Sequence, residues 1–149
     1  METRGDLQID PGSLAPAGET QAIELSVLYT EPALTDALLR HAAALTAGLH
    51  ARIHLVAVHT VPYPSDFECP ASTHAHLVER LIELSSNCPL PVTPVVVLAR
   101  SRVEGFAFAL ERESTVLVAS RKHLWRTSEE RLARILAREG HKVVLVHVA

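Results

Sequence analysis

Five short apolar runs, each separated from the next by a segment long enough to hold a helix, limit this chain to one kind of architecture. The runs are Ile23–Tyr29 (IELSVLY), Arg52–His59 (RIHLVAVH), Val92–Ala99 (VTPVVVLA), Thr115–Ala119 (TVLVA) and Lys142–Val148 (KVVLVHV). Their length and their content of Val, Leu and Ile read as strands. The intervals are too long for hairpins, so successive strands join by right-handed crossovers and lie parallel. The expected fold is therefore α/β, a doubly wound five-stranded parallel sheet with helices on both faces. Aromatic residues make up only 4% of the 149, so the core must be built from Leu, Val, Ala and Ile, a palette that suits helices packed on parallel strands. A chain of this size supports one core.

The crossovers carry helical spacing. Pro32 sits where a first helix begins, and Ala33–Leu49 follows with Leu34, Ala37, Leu38 and Leu45 on one face and Gly48 near its end. Thr73–Ser86 places Leu77, Leu81 and Leu84 together, and Pro89 and Pro91 close it off. Arg102–Glu113 carries Val103, Phe106, Ala109 and Leu110, and Ser128–Glu139 precedes Gly140 as a C-cap. Pro94 lacks the N–H a central strand needs, which places the third strand at an edge.

Residues 1–21 mix turn formers with acids and show neither period, so they read as a flexible leader ahead of a domain spanning residues 22–149. The leader has no apolar core of a signal peptide, and no run approaches 18 apolar residues, so neither secretion nor membrane insertion is expected. Cys69 and Cys88 are too far apart for a CxxC pair and too few for a disulfide scaffold. A reduced, cytoplasmic protein is the simpler reading. A net charge of −3, with basic residues interleaved among acids, provides no electrostatic footprint for nucleic acid.

Doubly wound sheets bind ligands outside the carboxyl ends of their strands, where the strand order reverses. If the first strand is central, the crevice is formed by the segments after strands one and four. The candidate residues are Tyr29 and Thr30 after the first strand, Val58 at the end of the second, and Ser120, Arg121, Thr127 and Ser128 around the connection that follows the fourth. Thr127 or Ser128 can cap the last helix while Arg121, Lys122 and Arg126 crowd its start, an arrangement that would suit a phosphate. The plainer reading is an ordinary N-cap beside a solvated basic loop. Trp125, the sole tryptophan, either stacks on a base or packs over the sheet edge or a partner subunit. Nine histidines suggest a metal, but His74 and His76 diverge on a helix and His54 and His59 fall on opposite faces of a strand, so no metal site is expected. No GxSxG, HExxH or GxxxxGK[ST] motif occurs, and no residue stands out as catalytic.

Across Ile23–Val148 the pattern resembles the universal stress protein family. The resemblance is carried by IELSVLYTEPALTDALLRHAAALTAGL, by ARIHLVAVHTVP, and by VLVAS followed by an amphipathic helix and KVVLVHV. It implies an adenine-nucleotide-alpha-hydrolase-like sheet in the order 3-2-1-4-5 and a homodimer paired through the fifth strand, Val143–Val148. That edge has a physical motive for pairing, since an uncovered strand exposes unpaired backbone groups, although the leader is another candidate to cover it. Nucleotide-binding members carry an acid after the first strand and a G-x2-G-x9-G-[ST] loop after the fourth, whose glycines let backbone N–H groups approach phosphate. Here the acidic position falls on Tyr29 or Thr30, with Glu31 the nearest acid, and Ala119–Ser128 contains no glycine. The resemblance so qualified implies a binding or signalling module without a strong ATP site and without an enzymatic role. A second reading is an ATP- or AMP-binding member with little or no hydrolysis. A third is a regulatory domain related to those of transporters or sensor kinases, working through a protein partner.

Overall fold

The computed structural model describes residues 23–61, 71–111, 114–121 and 127–148. The leader, Cys69, and the stretch holding Lys122, Trp125 and Arg126 lie outside the described residues. Strands β1 (Ile23–Leu28), β2 (Ala51–Thr60), β3 (Val92–Ala99), β4 (Thr115–Arg121) and β5 (Lys142–Val148) alternate with helices α1 (Pro32–Leu45), α2 (Ala71–Ser86), α3 (Arg102–Ala109) and α4 (Ser128–Arg138). All four strand pairings are parallel, and the order across the sheet is β3-β2-β1-β4-β5. This is the doubly wound α/β fold, with the first strand central and the chain reversing direction across the sheet between β1 and β4. Pro94 lies opposite Leu55 in edge strand β3, where its missing N–H faces no second neighbour.

Alternation along the strands divides the core into two layers. Leu25 and Val27 of β1, Ile53 and Leu55 of β2 and Leu117 of β4 meet Leu34, Leu38 and Ala42 of α1 and Leu81 of α2. On the other face, Leu28, Val56, Val116 and Val118 meet Phe106 of α3 and Leu132 and Leu136 of α4. Helices therefore cover both faces of the sheet. Among the described residues no helix is long and apolar enough to cross a membrane.

Three of the boundaries that differ from the sequence reading do so for a clear local reason. Helix α1 stops at Leu45 instead of Leu49, because the buried Thr46 hydroxyl returns to the Ala42 carbonyl at 2.9 Å and Gly48 turns the chain at φ +81°. Helix α3 ends at Ala109, four residues short of Glu113: Leu110 adopts φ −87° and ψ 138° and turns its side chain into the core at 7% exposure. Burying Leu110 by leaving the helix wins over continuing it. Strand β4 runs two residues past Ala119, with Ser120 opposite His147 and Arg121 opposite Val148. Two candidate site residues thus stand on a strand, not in a loop.

Candidate functional site

The seven candidate residues gather at the carboxyl ends of β1, β2 and β4, and there they divide into two groups. Tyr29 continues the β1 ladder by donating its N–H to the Val56 carbonyl at 2.8 Å. With Val58 it lines an open depression of about 390 Å³, bounded also by His59 and by Thr73, His76 and Arg80 of α2. It carries one aromatic ring, two imidazoles and one guanidinium.

The second group forms the entrance between β1 and α4. Ser120 is fully buried, and its hydroxyl lies 2.8 Å from that of Thr127. Thr127 has extended backbone and accepts the Glu130 N–H at 3.1 Å, which makes it the N-cap of α4. Glu129 and Glu130 in the first turn favour the positive end of the helix dipole. Ser128 turns away from the crevice, accepting from Arg102 Nη2 at 3.2 Å and donating to Glu129 Oε2 at 3.0 Å. Arg102 also reaches Glu129 at 3.4 Å, so the starts of α3 and α4 are tied together. Of the two capping candidates, Thr127 holds the position.

Arg121 forms an ion pair with Glu31, which stands at the N-cap position of α1 in the loop after β1 and makes no capping hydrogen bond with its side chain. Strand alternation explains the partner: Leu117, Ala119 and Arg121 share the face packed by α1, so the guanidinium emerges beside the start of that helix. Thr30 completes the loop. Its N–H donates to Thr35 Oγ1 at 3.3 Å, while its own hydroxyl oxygen is buried without a hydrogen-bond partner. Sequence reasoning identified Glu31 as the nearest acid but not its bond to Arg121; it weighed His76 only as a metal ligand, and it did not single out Arg102 or Arg80. The pairing joins positions 90 residues apart, beyond the reach of any local signal.

His54 and His59 do lie on opposite faces of β2: His54 bonds Glu24 at 2.8 Å on one side, and His59 lines the depression on the other. Among the described residues no three His, Cys, Asp or Glu side chains are grouped so as to hold a metal ion. Cys88 is a free, partly buried thiol packed against the α1–α2 layer.

The cap at Thr127 predicts a measurable loss. Thr127→Ala removes the acceptor for Glu130 N–H and the partner of a buried hydroxyl, and should lower the unfolding free energy by about 1–2 kcal/mol. Thr127→Ser keeps both contacts and should stay within about 0.5 kcal/mol of the parent in a urea melt. Equal losses in the two variants would remove the cap from the account.

No protein-family model and no curated protein matches the chain. The assignment of a role therefore rests on the fold and on the contacts at the carboxyl ends of the strands.

Proposed function

We propose that the chain is a universal-stress-protein-like binding or signalling module, cytoplasmic and homodimeric, whose crevice does not hold ATP by its phosphates. The observation that carries this reading is the Arg121–Glu31 ion pair. A phosphate approaching the end of β4 meets a guanidinium already matched by a carboxylate, and it must either displace Glu31 or accept a like charge beside it. Ser120 and Thr127 are likewise engaged with each other. Strand β5 supports the dimer: among the described residues it pairs only with β4 and has no neighbour on its outer side, and Val144 on it is 41% exposed. A second copy laid along that edge would satisfy the outer backbone groups and cover Val144.

Calorimetric titration with ATP, ADP and AMP tests the crevice. No saturable heat is expected at millimolar nucleotide, and saturable binding would overturn the reading in favour of a nucleotide-binding member. That alternative draws on the Tyr29–Arg80 depression, which offers a ring and a cation to a nucleoside. Light scattering on the eluting protein tests assembly: twice the chain mass of 16.2 kDa is expected, and a single-chain mass across the working concentration range would remove the dimer.

A further inference from the structure

Helix α4 divides sharply into two faces. Leu132, Ala133 and Leu136 are buried against the sheet, whereas Arg131, Arg134 and Arg138 recur at spacings of three and four on the outward side and are exposed. Gly140 then turns the chain at φ +101°, and Lys142, which opens β5, is exposed as well. The acids of the helix stand at its ends: Glu129 and Glu130 in the first turn, where Glu129 holds Arg102, and Glu139 at the C-cap. Among the described residues no carboxylate lies within ion-pair distance of Arg134, Arg138 or Lys142. The second half of α4 and the start of β5 therefore present a row of cations to solvent.

The matching charge is in the same chain. Residues 1–21 hold four carboxylates, Glu2, Asp6, Asp10 and Glu19, against one cation, Arg4. The rest of the chain has as many basic as acidic residues (14 − 1 against 17 − 4), so the whole formal net charge of −3 belongs to the leader.

The leader also joins the domain at the right end. It enters at Ile23, the amino end of β1, and α4 runs back along the parallel strands, so Arg138 and Lys142 lie at their amino ends too. Two strand spacings, about 10 Å, separate β1 from β5. Glu19 stands four residues before Ile23 and can reach about 14 Å, and Asp10 stands 13 residues before it and can reach over about 40 Å. The row from Arg131 to Arg138 is only about 10 Å long. Both acids can meet it.

We propose that the outward face of α4 is the docking surface of the chain's own acidic leader, with the carboxylates of Asp10 and Glu19 set against Arg134, Arg138 and Lys142. One exposed ion pair favours the docked form by a factor of only about 1.4–5. Several made within one chain suffice, because a short tether supplies a millimolar effective concentration. An acidic partner reaches this face only by displacing the leader. The row lies at the opposite end of the strands from the crevice and does not depend on what the crevice binds.

The test is a zero-length carbodiimide cross-link on the full chain at low salt, which joins a carboxylate to an amine and is read by peptide mass spectrometry. Lys122 and Lys142 are the only two lysines, so the products are few. Cross-links from Asp10 or Glu19 to Lys142 within one chain are expected. Arg134→Gln/Arg138→Gln keeps both the tether and Lys142 and changes exposed positions alone. Its yield of that cross-link should fall at least about threefold. Raising the salt to about 1 M, where the screening length is about 3 Å, should lower the yield of the unaltered chain to a similar degree, an arm that needs no variant. Absence of the cross-link, a yield unchanged by salt or by the double substitution, which would make it a product of tethering alone, or cross-links found only between chains would each overturn the proposal.

Discussion

Replacing Phe106 by alanine is expected to lower the unfolding free energy by about 3–5 kcal/mol, the range for large aromatic truncations in a close-packed core. Phe106 is completely buried and is among the largest fully enclosed side chains of the protein. It projects from α3 into a layer formed by Leu28, Val56, Val116 and Leu132. These neighbours are held by strands paired on both sides or by a helix packed on them, so they cannot collapse into the space the ring leaves. The sequence has only three phenylalanines, and the other one among the described residues, Phe108, points out of the core. A domain of this size has about 5–15 kcal/mol of stability in all, so Phe106→Ala should lose at least about a fifth of it. The control is two residues away. Phe108 is 82% exposed on the opposite side of the same helix, and Phe108→Ala should stay within about 0.5 kcal/mol of the parent. Guanidinium melts of the two variants decide the matter: comparable losses would mean that α3 does not pack as described.

The second large effect belongs to Gly105, one residue earlier. A Cβ at this position would stand 2.5 and 2.7 Å from the two γ-carbons of Val58 and 3.0 Å from Ala99 Cβ. The branched Val58 has no flexible end to swing away, so α3 would have to lift from β2. Overpacking of this kind costs about 1–3 kcal/mol, against about 1 kcal/mol gained by replacing glycine with alanine inside a helix. Gly105→Ala should therefore be destabilised by up to about 2 kcal/mol. In a Val58→Ala background both γ-carbons are gone, and the same change should become neutral or favourable by up to about 1 kcal/mol. That reversal of sign is a coupling a double-mutant cycle measures directly. Additive losses would show that glycine serves α3 in some other way than by permitting close approach.

The architecture was legible because its signals are short-range and repeated. The short apolar run Ile23–Tyr29, the helical spacing of Leu77, Leu81 and Leu84, and Pro94 in the third strand each report on their own few residues. Together they define strand, helix and edge. The end of α3 was not legible, since Val103, Phe106, Ala109 and Leu110 keep helical spacing up to the residue that leaves the helix. Whether Leu110 continues the helix or turns into the core depends on the width of the layer beneath it. The site was legible in location and only partly in content. The carboxyl ends of β1 and β4 follow from strand order, and a cap at Thr127 or Ser128 follows from their place before two glutamates, whereas the choice of Thr127 does not. The Arg121–Glu31 pair depends on β4 running two residues further than its apolar run, which pairing with β5 decides.

The central place of β1 carries a consequence for how the protein is made. One edge of β1 is filled by β2, which follows soon after it, but the other is filled by β4, whose Thr115 lies opposite Leu25. Ninety residues of synthesis separate those two positions (115 − 25). At about 5–20 residues per second, the ribosome holds a half-paired, strongly apolar strand open for roughly 5–18 s before its second neighbour exists. During that interval the nascent chain presents an edge that any other extended segment can fill. A strand made late in synthesis, β4, is therefore the one that shields the first strand from the wrong neighbour.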